Sequence, residues 1–204
     1  MIDLYSWSTP NGHKAQIMLE ETGFEYLLHP VNFGEGEQHR SEYLAINPNG
    51  KIPAIVDHDG PGGEALPIFE SGAILLYLAE KSGSFLPTEP HPRWQAISWL
   101  MFQMGGIGPI LGQAGYFRNL APEPVPVAIE RYTREAERLF GVVDHRLAEA
   151  EFLAGTYSIA DIACFPWMRV HQRLGVDVED YPNVAGWLQT INARPAVKRG
   201  LALA

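Results

Sequence analysis

Two apolar periodicities share this chain without mixing, and the point where one replaces the other constrains the fold more than any other feature. Up to about residue 82, runs of period two alternate with helical runs. Ile2-Asp3-Leu4-Tyr5-Ser6-Trp7 reads as a strand, and Thr9-Pro10-Asn11-Gly12 has turn chemistry. A helix is predicted over 14–22, closed by Gly23, then a strand over 26–31, a loop over 33–37 and a helical turn over 41–45. A strand over 51–57 carries Pro53, a hairpin loop covers 57–63, a partner strand 65–69, and Ser71 precedes an apolar helix over 72–81. The order is βαβα-ββα.

Beyond the three prolines of 87–92 only helical signals remain. Helices are predicted over 93–104, 127–150, 183–194 and 196–201, with a break at Gly105-Gly106-Ile107-Gly108-Pro109. Ser158-Ile159-Ala160-Asp161 has the hydroxyl and carboxylate spacing of a capping box. The reading is an α/β domain over 1–82 and an all-α domain over 88–204. No internal repeat or low-complexity segment is visible.

Charge follows the same division. Residues 1–82 hold 4 basic and 12 acidic side chains, against 11 and 12 in the remainder. The overall net charge of −9 argues against nucleic acid or an anionic membrane as partner. One cysteine forms no intramolecular disulfide, CxxC pair or thiolate metal cage, and the seven histidines show no ligand spacing, so no metal is expected. With no signal peptide and no membrane-length apolar run, the expected location is the cytoplasm.

Two local features suggest binding chemistry. Pro53 inside a strand fits either an edge strand or a cis bond that turns the backbone of Ile52 toward a ligand. Glu70-Ser71-Gly72, at a strand-to-helix junction, fits an ordinary helix cap. It also fits a site for the amino and carboxyl groups of an α-amino acid, with the helix N-terminus meeting the carboxylate and Glu70 the ammonium.

Ser8-Thr9-Pro10-Asn11-Gly12, Asn47-Pro48-Asn49-Gly50-Lys51-Ile52-Pro53 and Phe69-Glu70-Ser71-Gly72-Ala73-Ile74 together resemble the cytosolic glutathione transferases, and Tyr157-Ser158-Ile159-Ala160-Asp161 resembles the capping box of their second domain. The likeness runs the length of the chain. Thr9-Pro10-Asn11-Gly12-His13-Lys14 and Gly108-Pro109-Ile110-Leu111-Gly112-Gln113 are most similar to the bacterial nu class and to related fungal nitrogen regulators.

That resemblance implies a thioredoxin-like N-terminal domain, an all-helical C-terminal domain and a homodimer, with glutathione as cosubstrate. It implies that Ile52, beside a cis Pro53, offers its backbone to the cysteinyl amide. Glu70 and Ser71 would hold the γ-glutamyl end, and Gln38 would also contact the tripeptide. Arg131 matches an arginine that reaches glutathione, from its own subunit or its partner's; alternatively it is a surface residue paired with Glu135. Thr9 and Asn11 would stabilise the thiolate, with Tyr5 left to packing. Met104, Tyr116, Phe117 and Trp167 would line the second-substrate pocket, and Cys164 reads as a buried core thiol.

Three activities are compatible with these residues: glutathione-dependent reduction of small disulfides, conjugation of glutathione to electrophiles, and non-catalytic regulation on the same fold. Thr9-Pro10 stands where glutaredoxin-type relatives carry Cys-Pro, so a reductase of this kind takes both electrons from glutathione. Disulfide reduction is the expected main activity. Retention of Thr9, Asn11, Glu70 and Ser71, and a start at the first strand, place the regulator last.

Overall fold

Strand β1 (Ile2–Ser6) buries Ile2, Leu4 and Ser6 on one face, and that alternation sets the register of everything built on it. The structure, a computed structural model, describes residues 1–202. A helix, α1 (Pro10–Thr22), returns the chain so that β2 (Tyr26–Pro30) lies parallel to β1, with Ile2 opposite Tyr26. A short α2 (Ser41–Leu44) follows, and β3 (Ala54–Asp57) then runs antiparallel to β1 with Tyr5 opposite Ala54. Strand β4 (Leu66–Phe69) completes the sheet in the order β2-β1-β3-β4, and α3 (Ser71–Ser82) follows directly. This is the thioredoxin-like domain expected from the sequence.

Helix α1 begins four residues before the predicted start. Thr9 is its N-cap, with Oγ1 accepting from the Gly12 N–H at 3.2 Å, and Pro10 occupies the first turn. Asn11 therefore lies on the helix, not in the loop before it. Only glycine fits at position 12, because a Cβ there would lie 2.1 Å from the Trp7 carbonyl oxygen and 2.6 Å from Ser6 Oγ. The first turn of α1 is thus held against the end of β1.

The predicted strand over 51–57 is shorter. The Ile52–Pro53 bond is cis and pairing starts at Ala54, so Pro53 never needs a ladder N–H and the strand keeps its central place.

The second unit, residues 85–193, is helical. It comprises α4 (Pro90–Phe102), α5 (Gly108–Asn119), α6 (Pro126–Glu149), α7 (Ile159–Met168), α8 (His171–Leu174) and α9 (Pro182–Ala193). The expected break at 105–109 is a π turn, Gln103–Ile107, that leads without a loop into α5, with Pro109 in its first turn. Glycines in this run widen the helix by a residue without ending it. The capping box of α7 forms between Ser158 and Asp161. Leu100, Leu111, Leu139, Phe140, Val143, Ile162, Phe165 and Ile191 fill the core of this unit.

The last helix, α10 (Pro195–Ala202), packs on α1. Residues 194–202 group with residues 1–84. Arg194 forks onto Glu21 at 2.7 and 2.9 Å, Arg199 reaches Glu20, and Gly200 sits so close to Ile17 that a Cβ would lie 2.8 Å from its backbone. No described helix is long and apolar enough to cross a membrane.

Candidate functional site

Three turns of the first unit carry the predicted binding residues: the start of α1, the stretch before β3, and the start of α3. At α1, the Thr9 hydroxyl accepts the Gly12 N–H with a lone pair, which leaves its own hydrogen outside that bond. Asn11 follows, half-buried, in the same turn, beside the backbone N–H groups that make a helix N-terminus attractive to an anion. A thiolate placed here meets a hydroxyl donor, an amide donor and a helix dipole, each favouring the ionised over the protonated sulfur. Ser8 instead contacts His13 at 3.5 Å, and Ser6 is buried. Tyr5 packs, with its ring stacked on His29 at 4.7 Å and tilted to Tyr43 at 6.0 Å.

The stretch before β3 explains the Asn47-Pro48-Asn49-Gly50 run. Asn47 Oδ1 accepts the Asn49 N–H at 3.0 Å while its Nδ2 donates to the Lys51 carbonyl at 2.6 Å. Gly50 turns the chain at φ 61°. The Tyr43 hydroxyl donates to the same Lys51 carbonyl, and burial pushes this phenol up to about 12. The Lys51–Ile52 peptide is thereby oriented by two side chains and lies outside the ladder. Beneath it Val31, Tyr43, Ile52 and Ala54 form a small buried cluster. Gln38 is half-buried, and its amide oxygen is shielded from solvent with no hydrogen-bond partner among the described residues. That is an arrangement a polar ligand can complete.

At α3 the N-cap is Glu70, not Ser71. Glu70 adopts φ 70° and ψ 118°, a left-handed conformation that non-glycine residues rarely take outside functional sites, and its carbonyl accepts the Ile74 N–H at 3.0 Å. Its carboxylate is exposed. Ser71, the first helical residue, does not cap: its Oγ accepts a hydrogen bond from Lys14 Nζ at 3.2 Å, in a buried position. Lys14 was not singled out from the sequence.

The remaining predicted residues lie in the second unit. Arg131 is exposed and lines an open depression of about 710 Å³ with Ile110, Val127 and Tyr132. Glu135 is held by Arg138 in a fork of 2.7 and 2.8 Å, and the charge of Arg131 also favours its carboxylate. The Phe117 ring stacks on Tyr132 at 5.5 Å and meets Tyr116 edge-on at 5.2 Å. Trp167 lies over Gly112 of α5, and Met104 sits in the π turn. Cys164 is buried, and no group of three or more His, Cys, Asp or Glu among the described residues is placed to hold a metal ion.

A parallel-then-antiparallel four-stranded sheet, a cis proline before β3, an anion-receptive α3 start and a following helical unit define the glutathione transferase fold. The family model for the glutathione S-transferase N-terminal domain matches residues 1–80, and that for the C-terminal domain matches residues 123–195. The chain belongs to the glutathione S-transferase family. It is 51% identical over 203 residues to the disulfide-bond oxidoreductase YfcG of Escherichia coli, covering 98% of this chain and 94% of that one. A glutathione transferase family member from Pseudomonas fluorescens, crystallised with two glutathione bound, superposes with TM-score 0.95 at 48% identity, over 100% of this chain and 93% of that one. A glutathione transferase from Pseudomonas putida, with one glutathione disulfide bound per subunit, gives 0.96 at 47% identity, over 99% and 91%.

Proposed function

We propose that this protein is a glutathione-dependent disulfide-bond reductase. The observation that carries the reading is the 51% identity, over nearly the whole chain, to an enzyme named for that activity. Glutathione is the cosubstrate. Its cysteinyl amide pairs with the backbone of Ile52 beside Pro53, its γ-glutamyl end lies on Glu70 and Ser71, and Gln38 and Arg131 contact the tripeptide. Thr9 and Asn11 hold the sulfur as thiolate.

Chemistry then proceeds by two exchanges. The first glutathione thiolate attacks one sulfur of a small disulfide, forming a mixed disulfide and releasing the other half as a thiolate. A second glutathione thiolate attacks the glutathione sulfur of the mixed disulfide, releasing the second half and leaving glutathione disulfide. Both electrons come from glutathione. The relative with two glutathiones bound and the relative with one glutathione disulfide per subunit support such a stoichiometry. Met104, Tyr116, Phe117 and Trp167 line the region that accepts the second substrate.

The working form is a cytoplasmic homodimer. Trp94 is 65% and Met101 49% exposed on α4, an apolar face suited to a second copy.

The test is a steady-state assay with glutathione and either a small model disulfide or an aromatic halide, coupled to NADPH-dependent recycling of glutathione disulfide. Turnover of the disulfide well above conjugation of the halide is expected. Brisk conjugation without disulfide turnover replaces this reading with that of an ordinary transferase.

A further inference from the structure

We propose that Lys14 is a positioning residue of the glutathione site, acting through Ser71 to hold the α-carboxylate of the γ-glutamyl end. The inference rests on the glutathione reading above and adds to it a group that does not itself touch the ligand.

Lys14 is 1% exposed and among the largest fully buried side chains of the chain. A buried ammonium costs several kcal/mol unless its surroundings compensate, so evolution of an ordinary core favours methionine or leucine at such a position. Its Nζ instead lies 3.2 Å from Ser71 Oγ, linking the second turn of α1 to the first residue of α3.

The chemistry of the two groups fixes the direction of that bond. An ammonium has only donors, so Ser71 Oγ must accept, and the Ser71 hydrogen points away from Lys14. A carboxylate at the start of α3 then meets that hydroxyl hydrogen, the helix N–H groups and, immediately behind, a full positive charge. The helix end supplies only about half a charge by itself.

Of the other three cations of residues 1–82, two are paired with carboxylates and one is exposed. Lys81 pairs with Asp57 at 2.7 Å, Arg40 with Glu37 at 2.9 Å, and the Lys51 side chain is exposed. In a segment with 12 acidic residues, Lys14 sets a positive charge against Ser71 and so offsets a field that would repel an anionic ligand.

The experiment compares two ligands by calorimetry on the wild type and Lys14→Met. One is glutathione, the other γ-aminobutyryl-cysteinyl-glycine, which lacks only the carboxylate in question. The substitution is expected to weaken glutathione by about tenfold or more and the analogue by less than about twofold, with the loss of turnover lying in KM for glutathione more than in kcat. Equal losses for both ligands mean a merely structural lysine and overturn the inference, as does no loss for either. A wild type that binds neither ligand removes the glutathione reading itself. Should Lys14→Met fold poorly, the Lys14 ammonium resonance of the wild type decides: it shifts with glutathione and not with the analogue, and a resonance indifferent to both refutes the proposal.

Discussion

One hydroxyl at Thr9 does two things at once. Its oxygen closes the first turn of α1 by accepting the Gly12 N–H, a bond that does not use its own hydrogen. Thr9→Ala should therefore cost about 1 kcal/mol of stability in urea unfolding through the lost cap. It should also raise the pKa of bound glutathione toward the free-thiol value, read from the ultraviolet absorbance of the thiolate. Thr9→Ser should restore both, and a thiol pKa that Thr9→Ala leaves in place would remove Thr9 from the site. Much of this was legible in the sequence, since Thr9-Pro10-Asn11-Gly12 carries the family likeness. Its role as a helix start was not, because Thr-Pro-Asn-Gly serves equally as a turn and as an N-terminal cap, and only the close approach at Gly12 decides between them. Lys14 was illegible for a different reason: nothing local distinguishes a cation that faces Ser71, 57 residues away, from one that faces water.

At the scale of elements, the start of α7 shows how a motif read from sequence gains its energetics from distant partners. Asp161 was expected to cap, and it does, accepting the Ser158 N–H at 3.1 Å. It also takes the Leu153 N–H at 3.0 Å and Trp187 Nε1–H at 2.9 Å, so it ties α7 to the loop before it and to α9. Burial, the larger effect, pushes this carboxyl up to about 6, while the four donors around it pull the other way. The folded chain thus binds the Asp161 proton more tightly than the unfolded chain does. The stability from that proton is fully present below about pH 4 and is lost as pH rises through about 6. Asp161→Asn should flatten the unfolding free energy across that window and lower stability by about 1–3 kcal/mol, since an amide presents two donors where donors already converge. A variant that keeps the wild-type slope between those pH values would show that another group titrates there. The π turn before α5 is the converse case. Its glycines read as a break because composition reports what a segment tolerates, whereas the packing around it keeps the helix continuous.

For the whole molecule, the order of strands and helices and the change at the proline-rich linker were readable, because each rests on local periodicity. The home of α10 was not. Its pairing with α1 depends on Arg194, Arg199 and Gly200 meeting residues some 180 positions earlier, as in the Glu21 fork at a separation of 173, and no local pattern carries such information. Assembly is likewise a property of the whole chain. A solution mass near twice 22.7 kDa is expected by light scattering, with Trp94→Glu shifting it toward the single-chain value; a wild type that stays at 22.7 kDa would contradict the homodimer.

In the proposed mechanism glutathione supplies every thiol, because Thr9 stands at the start of α1 and Cys164, the one cysteine, is buried in α7. The measurement that bears on it most directly is the steady-state rate of glutathione-dependent reduction of a small disulfide by Cys164→Ser beside the wild type. Equal kcat, with no glutathione adduct on either protein by intact mass during turnover, is the predicted result. Loss of disulfide reduction in folded Cys164→Ser, or a glutathione adduct on the wild-type Cys164 that forms and disappears at the turnover rate, would contradict it.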